Sequence, residues 1–391
     1  MRLRHPDGTL LHVAYGTNVH PQESVDGIVE QFKTYGAGVR AALDVDVLGL
    51  GLWLPATAAH ELASRPGEAQ RLRKALADHG LEVVTVNAFP YARFHAEVVK
   101  RDVYHPDWSQ RARLDYTLDC ARVLAVLMPD DAVRGSISTL PLGWRSPWYA
   151  DRDAAAHDNL GRLGEGLAAI AAEVGRPVQV GLEPEPGCVI ETTLQAVERL
   201  TGVDTTYIGV CLDTCHLATG FEDVTDALRQ LDDAGLPVVK LQASAAVHVE
   251  RPAEQESRAA LSRYAEDRFL HQVREQHGDR TTGRDDLDVA LDGARPLPGR
   301  APWRVHFHVP VHADLEAPLV STRTELETAL RELLGGPHPR VDHVEVETYT
   351  WDVLPAGHRP RDDAGLVVGL ADELSWVRDQ LNRIQIQVEA A

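Results

Sequence analysis

Lysine is nearly missing from this chain: four positions among 391 residues, Lys33, Lys74, Lys100 and Lys240. With 39 basic against 59 acidic side chains the formal charge is −20. Polyanions approach such a protein reluctantly, so nucleic acid and anionic membrane are poor default partners. Cysteine is scarce as well. Cys120, Cys188, Cys211 and Cys215 are too unevenly spaced for a disulfide framework and read as reduced thiols of a cytoplasmic chain. Cys211 and Cys215 stand four apart with His216 adjacent, but a structural zinc site needs a second ligand pair and none is present. No apolar run approaches the ~20 residues of a membrane span. No N-terminal stretch has the zones of a signal peptide. The expectation is a cytoplasmic protein without a membrane span.

What is present is an alternation of short apolar runs with longer amphipathic stretches. Strands are expected at Leu11–Gly16, Asp46–Leu52, Leu81–Val86, Gly135–Leu140, Pro177–Leu182, Tyr207–Leu212, Pro237–Leu241 and His343–Val346. Their nearly continuous hydrophobicity suits strands covered on both faces by helices. Helical spacing follows from Asp107, an expected N-cap, then over Asp153–Val174, Thr322–Leu334 and Asp363–Ile386. Eight strand–helix pairs without a shift in composition predict an α/β fold: one (β/α)₈ TIM-barrel domain spanning 1–391. Two stretches exceed the repeat. Asn87 to Asp107 is long for a loop. An insertion over about 243–302 follows the seventh strand, with a helix expected at Ser257–Gln276 and a mobile polar tract at 278–300. A ninth strand-like run, Trp303–Val311, comes next. Such an insertion is expected to form a lid or substrate wall.

Barrel enzymes place their chemistry at the C-terminal ends of the strands. The fifth strand runs into Glu183-Pro184-Glu185, the sixth into Asp213-Thr214-Cys215-His216, the seventh into Lys240-Leu241-Gln242 and the eighth into Glu345-Val346-Glu347. His306 and His308 alternate on the ninth run and so share a face. Carboxylates crowded into a barrel mouth lose hydration and repel one another unless a cation lies between them. Oxygen-rich ligation with a nitrogen or two suits manganese, magnesium, cobalt or zinc. Taken singly, each residue has an ordinary structural explanation: Asp213 caps a helix, His216 is a satisfied histidine. The coincidence across several strand ends is what points to a metal. Glu183 and Glu185 compete for one role, because Pro184 breaks the strand alternation. Early strands add Asn18, His20, Trp53, Asn87, Phe89, Tyr91 and His95, amides and aromatics suited to a polyol; Trp53 and Phe89 serve equally as barrel plugs.

Leu182-Glu183-Pro184, Cys211-Leu212-Asp213-Thr214-Cys215-His216 and Val346-Glu347-Thr348 resemble the xylose isomerase-like barrels, which include sugar epimerases and endonuclease IV. The segment from Asn87 to Trp108, Glu183–Gly187 and His306–Val311 look most like the EboE-type metabolite traffic family, found with genes of secondary metabolism. The resemblance implies that Glu183, Asp213 and Glu347 bind one divalent ion and that His216 touches substrate oxygens. A histidine ligand expected from the seventh strand is missing; Gln242, or His306 or His308, is placed to substitute. It also implies a metal-dependent isomerase or epimerase acting on a sugar-like or cyclitol-like polyol. Glu183 and Glu347 would then move the proton, Lys240 would neutralise developing charge and Glu185 would contact substrate. Two alternatives are a zinc-dependent hydrolase of a phosphoester or other ester, and a non-catalytic protein that carries a metabolite. Metal number separates the first two readings, and turnover separates both from the third.

Overall fold

The protein is described from a computed structural model covering residues 1–388. The eight apolar runs form eight strands: β1 (Leu10–Gly16), β2 (Leu48–Trp53), β3 (Leu81–Asn87), β4 (Gly135–Thr139), β5 (Val178–Leu182), β6 (Ile208–Asp213), β7 (Val238–Ala243) and β8 (His343–Val346). All lie within two residues of the expected bounds. Each pairs in parallel with its neighbours in the chain. β8 then closes on β1 from His343↔His12 to Val346↔Tyr15. The result is a closed (β/α)₈ TIM barrel ringed by helices, as expected.

Helices Ala150–Val174, Arg323–Leu334 and Asp363–Arg383 match the periodicity. The expected N-cap at Asp107 does not form. The helix begins at Arg111 after Gln110, because the Asp107 carboxylate is spent on a preceding turn, accepting from the Ser109 amide at 2.9 Å.

The insertion departs most from expectation. Its helix is short, Gln255–Leu261 with a 3₁₀ turn at Ser262–Tyr264, and Val273–His277 is a strand. That strand turns through Gly278 (φ +59°) and pairs antiparallel with Arg280–Arg284. The tract read as mobile therefore holds a hairpin strand and a helix, Leu287–Asp292. The ninth run is a strand only over Trp303–Val305. Beyond it the Phe307 amide folds back on the Val305 carbonyl at 2.8 Å, and Pro310 has no amide to donate. These strands, with Val247–Val249 and Val320–Ser321, make a second, five-stranded antiparallel sheet. The insertion thus reaches Ser321, past the expected end at 302.

The barrel interior is polar, which nearly continuous hydrophobicity did not suggest. His12 bonds Glu82 at 2.8 Å, and Glu82 accepts from Arg2. His343 bonds Ser136 at 2.8 Å, and Ser136 donates to Thr85. Lys240 is paired with Glu345, neither side chain exposed. Glycine makes room for that pair: a Cβ on Gly51 would lie 2.1 Å from the Glu345 carboxyl carbon. These buried groups pair with one another, as a dry interior demands, although Glu345 Oε1 has no partner.

Candidate functional site

The C-terminal ends of β5, β6 and β8 deliver Glu183, Asp213 and Glu347, each with a carboxylate oxygen within 4.8 Å of the others and all three buried. Each is oriented differently. Asp213 caps the short helix Thr214–Thr219; its Oδ1 accepts from the His216 amide and from Ser244 Oγ, both at 2.8 Å. Capping the helix through Oδ1 therefore leaves Oδ2 available to a ligand. Glu347 is clamped by three amides, with Oε1 accepting from Asn18 (2.7 Å) and Asn87 (2.8 Å) and Oε2 from Gln242 (3.0 Å). Glu183 is the least constrained: its Oε1 lies 3.5 Å from His216 Nδ1.

Three buried oxygens of this group, Glu183 Oε2, Asp213 Oδ2 and Gln242 Oε1, have no hydrogen-bond partner. Leaving buried acceptors unmet costs about 1–3 kcal/mol each, more when charged. Burial, then the neighbouring Glu347 and Asp213, pushes Glu183 well above the carboxylate range; burial and then Asp213 do the same to Glu347. These are carboxylates short of a positive charge, and the donor set fits a divalent cation.

Beside them lies a cluster of histidines. His216 Nδ1 donates to the Pro184 carbonyl (3.1 Å), His306 Nδ1 to Gln272 Oε1 (2.6 Å) and His308 Nδ1 to the Glu347 carbonyl (2.7 Å). Carbonyl oxygens only accept, so each Nδ1 carries the proton and each Nε2 presents a lone pair. Those lone pairs converge: His216 and His306 Nε2 are 3.0 Å apart, His306 and His308 Nε2 3.2 Å. With no proton between them the contacts are repulsive rather than hydrogen bonds. Burial lowers all three histidines, His216 to about 4, which keeps the imidazoles neutral. Cys215, set aside on sequence spacing, lies with His306 and His308 in a second possible ligand group; Glu185 lies with His216 and His306 in a third.

Glu185 faces the same pocket, its Oε1 accepting from Tyr104 at 2.6 Å, and burial raises it to about 8. Tyr104 accepts from Gln272 at 3.0 Å, so Glu185, Tyr104, Gln272 and His306 form a continuous chain. Asn18, Asn87 and Phe89 also line the pocket, which encloses about 500 Å³ including the space open to solvent. Other predicted residues lie elsewhere. His20 bonds Tyr15 and stacks on Tyr35, Trp53 donates to the Pro90 carbonyl, and Tyr91 packs on Tyr116. His95 bonds the Asn18 carbonyl at 2.8 Å and does not line the pocket. Lys240 is held by Glu345 inside the barrel and does not line the pocket.

Tyr104, Gln272, Ser244 and Tyr349 were not singled out from sequence as site residues. Tyr104 belongs to the overlong segment after β3, a usable signal. Gln272 fell within the expected helix, so its role was hidden by the wrong period. Among the described residues no helix is long and apolar enough to cross a membrane.

The model of the family described as the xylose isomerase-like TIM barrel matches residues 39–270. No curated protein matches. Among solved structures, a D-psicose 3-epimerase with D-tagatose from Clostridium cellulolyticum aligns at TM-score 0.50 and 15% identity, over 95% of this chain and 99% of that one. A proposed sugar phosphate isomerase/epimerase from Anabaena variabilis aligns at TM-score 0.50 and 15% identity, over 96% and 99%. The IOLI protein with a bound zinc atom gives 0.49 and 13%, over 96% and 99%. At these identities the likeness is one of fold.

Proposed function

The chain belongs to the xylose isomerase-like TIM-barrel family, and from that premise we propose that it is a metal-dependent isomerase or epimerase. Its substrate in this reading is a sugar-like or cyclitol-like metabolite, changed by proton transfer at a carbon beside a carbonyl. The observation that carries the reading is the set of three unpartnered buried oxygens on Glu183, Asp213 and Gln242. These residues with Glu347 would hold the ion. When bound, a divalent cation polarises a carbonyl oxygen and the hydroxyl next to it, so that the adjacent C–H becomes acidic.

The protein's own groups divide the remaining work. Glu347, fixed by Asn18, Asn87 and Gln242, has little freedom to move and serves best as a ligand. Glu183, the least constrained of the three, would hold the ion through Oε2 and suits the base that takes the proton through Oε1. Neutral His216 would accept a hydrogen bond from a substrate hydroxyl and orient it. Glu185, raised to about 8, stands ready as a proton donor on the Tyr104 side. Likeness of the 87–108 and 306–311 segments to the EboE-type family supports a setting in secondary metabolism.

The test is solvent-deuterium incorporation into a turned-over substrate. Replacing Glu183 by Gln should abolish exchange, and Glu347→Gln should weaken metal retention first. Undiminished exchange in E183Q would refute the role of the base. A second reading, zinc-dependent ester hydrolysis, is favoured by one feature: the three converging Nε2 lone pairs of His216, His306 and His308, which offer a place for a second cation. Metal analysis separates the readings. One exchangeable ion per chain supports the isomerase, two tightly held zinc ions the hydrolase.

A further inference from the structure

The floor of the pocket and its wall have opposite chemistry. The floor carries the carboxylates, amides and imidazoles already described. The wall is built by the two segments that exceed the barrel repeat, together with the residues after β8. Phe94, Phe269 and Tyr349 form a three-ring cluster with centroids 5.0–5.3 Å apart, and Val103 and Leu270 continue the same apolar lining. The two long segments are tied together at this point, since the Val99 and Lys100 amides both donate to the Arg268 carbonyl at 2.8 Å. The wall is therefore a braced feature.

A polyhydroxylated body lying against such a wall would exchange water for carbon. Each hydroxyl left unmet costs a substantial part of its hydration. The wall offers few partners: the Tyr349 hydroxyl, Tyr104 and Lys100. Tyr104 already donates to Glu185 and accepts from Gln272. Among the described lining residues Lys100 is the one cation. Its three ammonium protons are committed to the Glu266 carbonyl (3.1 Å), the Phe269 carbonyl (2.8 Å) and Asp286 (2.6 Å). Apart from the ion proposed for the floor, the described lining residues leave no free cation to receive a phosphate.

We infer that the substrate is an amphiphile: vicinal oxygens at one end, seated on the acidic floor, and an apolar aromatic or alicyclic ring at the other, seated against Phe94, Phe269 and Leu270. The inference rests on the proposed function in taking the floor as the place where substrate oxygens meet a bound ion. It adds that the rest of the molecule is neither a polyol chain nor a phosphate ester.

Three hydroxamates with one chelating head and different tails make the test. Acetohydroxamate, 3-phenylpropanohydroxamate and gluconohydroxamate are titrated calorimetrically into the metal-loaded full-length protein. The phenyl compound should bind about 10- to 100-fold more tightly than acetohydroxamate, the factor expected for burying one ring. Gluconohydroxamate should gain nothing. Phe269→Ala and, as a milder change at a half-buried position, Leu270→Asn should each erase most of the phenyl advantage while leaving acetohydroxamate affinity within twofold. Equal affinity for all three, or preference for the gluconic tail, overturns the inference. Failure of every hydroxamate to bind in a metal-dependent way would instead strike at the proposed metal floor, so the two failures are distinguishable.

Discussion

Removing one half of the ion pair inside the barrel should be among the most damaging single changes outside the pocket. Lys240 and Glu345 have no exposed side-chain area, and the Lys240 ammonium is the partner of Glu345 Oε2. Oε1 of the same carboxylate has none. Lys240→Met keeps most of the volume and deletes the charge, leaving a buried carboxylate with neither partner nor water. Breaking a pair of this kind costs about 3–5 kcal/mol, against a total stability of about 5–15 kcal/mol for a typical domain. Replacing both residues, K240M with Glu345→Met, removes the orphan and should recover most of the loss. The assay is equilibrium urea unfolding followed by tryptophan fluorescence, with the midpoints compared at constant slope. A K240M protein within about 1 kcal/mol of wild type, or a double variant no more stable than the single one, would refute the reasoning. Turnover measured on the same proteins adds a second answer. If the double variant folds well and retains activity, Lys240 supports the barrel and does not neutralise charge in the reaction.

Two further outcomes follow from other buried positions. Glu373 accepts from Thr348 and the Val311 amide, and burial raises it from 4.5 to about 7. The folded protein holds this proton where the unfolded chain releases it. Its contribution is therefore complete below pH 4.5 and fades as pH rises to about 7, by about 3 kcal/mol. Glu373→Gln should flatten that part of the profile of Tm between pH 5 and 8, and an unchanged slope would sink the assignment. Gly51→Ala should destabilise by at least about 1–3 kcal/mol, because its Cβ collides with Glu345. In a Glu345→Ala background the same substitution should cost less than about 1 kcal/mol, measured by thermal unfolding.

The barrel was legible because strands buried on two faces are apolar at nearly every position, and turns and helices separate them cleanly. Glu183, Asp213 and Glu347 could be read for a related reason: a carboxylate directly after an apolar strand stands out against its surroundings. What lay hidden was set by tertiary contacts. Nothing in the period of the sequence says that Val273 pairs with both Arg284 and Val305, so a helix was expected where Gln272 and a strand are found. Nor does local sequence separate Asn18, which reaches Glu347, from His20, which turns away to Tyr15 and Tyr35. The polar barrel interior was missed because its charges are spaced among hydrophobic neighbours and become a network only when the sheet closes.

That closure has a kinetic side. Asn18 and Glu347 lie 329 residues apart along the chain, yet one amide of the pair clamps the carboxylate of the other. The opposite clamp, Gln242, comes from a third region, and the imidazoles from two more, His216 after β6 and His306 and His308 in the insertion. A chain emerging during synthesis lacks, until β8 is made, the group that completes the acidic floor. Contacts of such long range form late, after the entropy of closing the loop has been overcome. The site consequently doubles as a seal on the finished fold: until the eighth strand docks beside the first, there is no three-carboxylate site to fill.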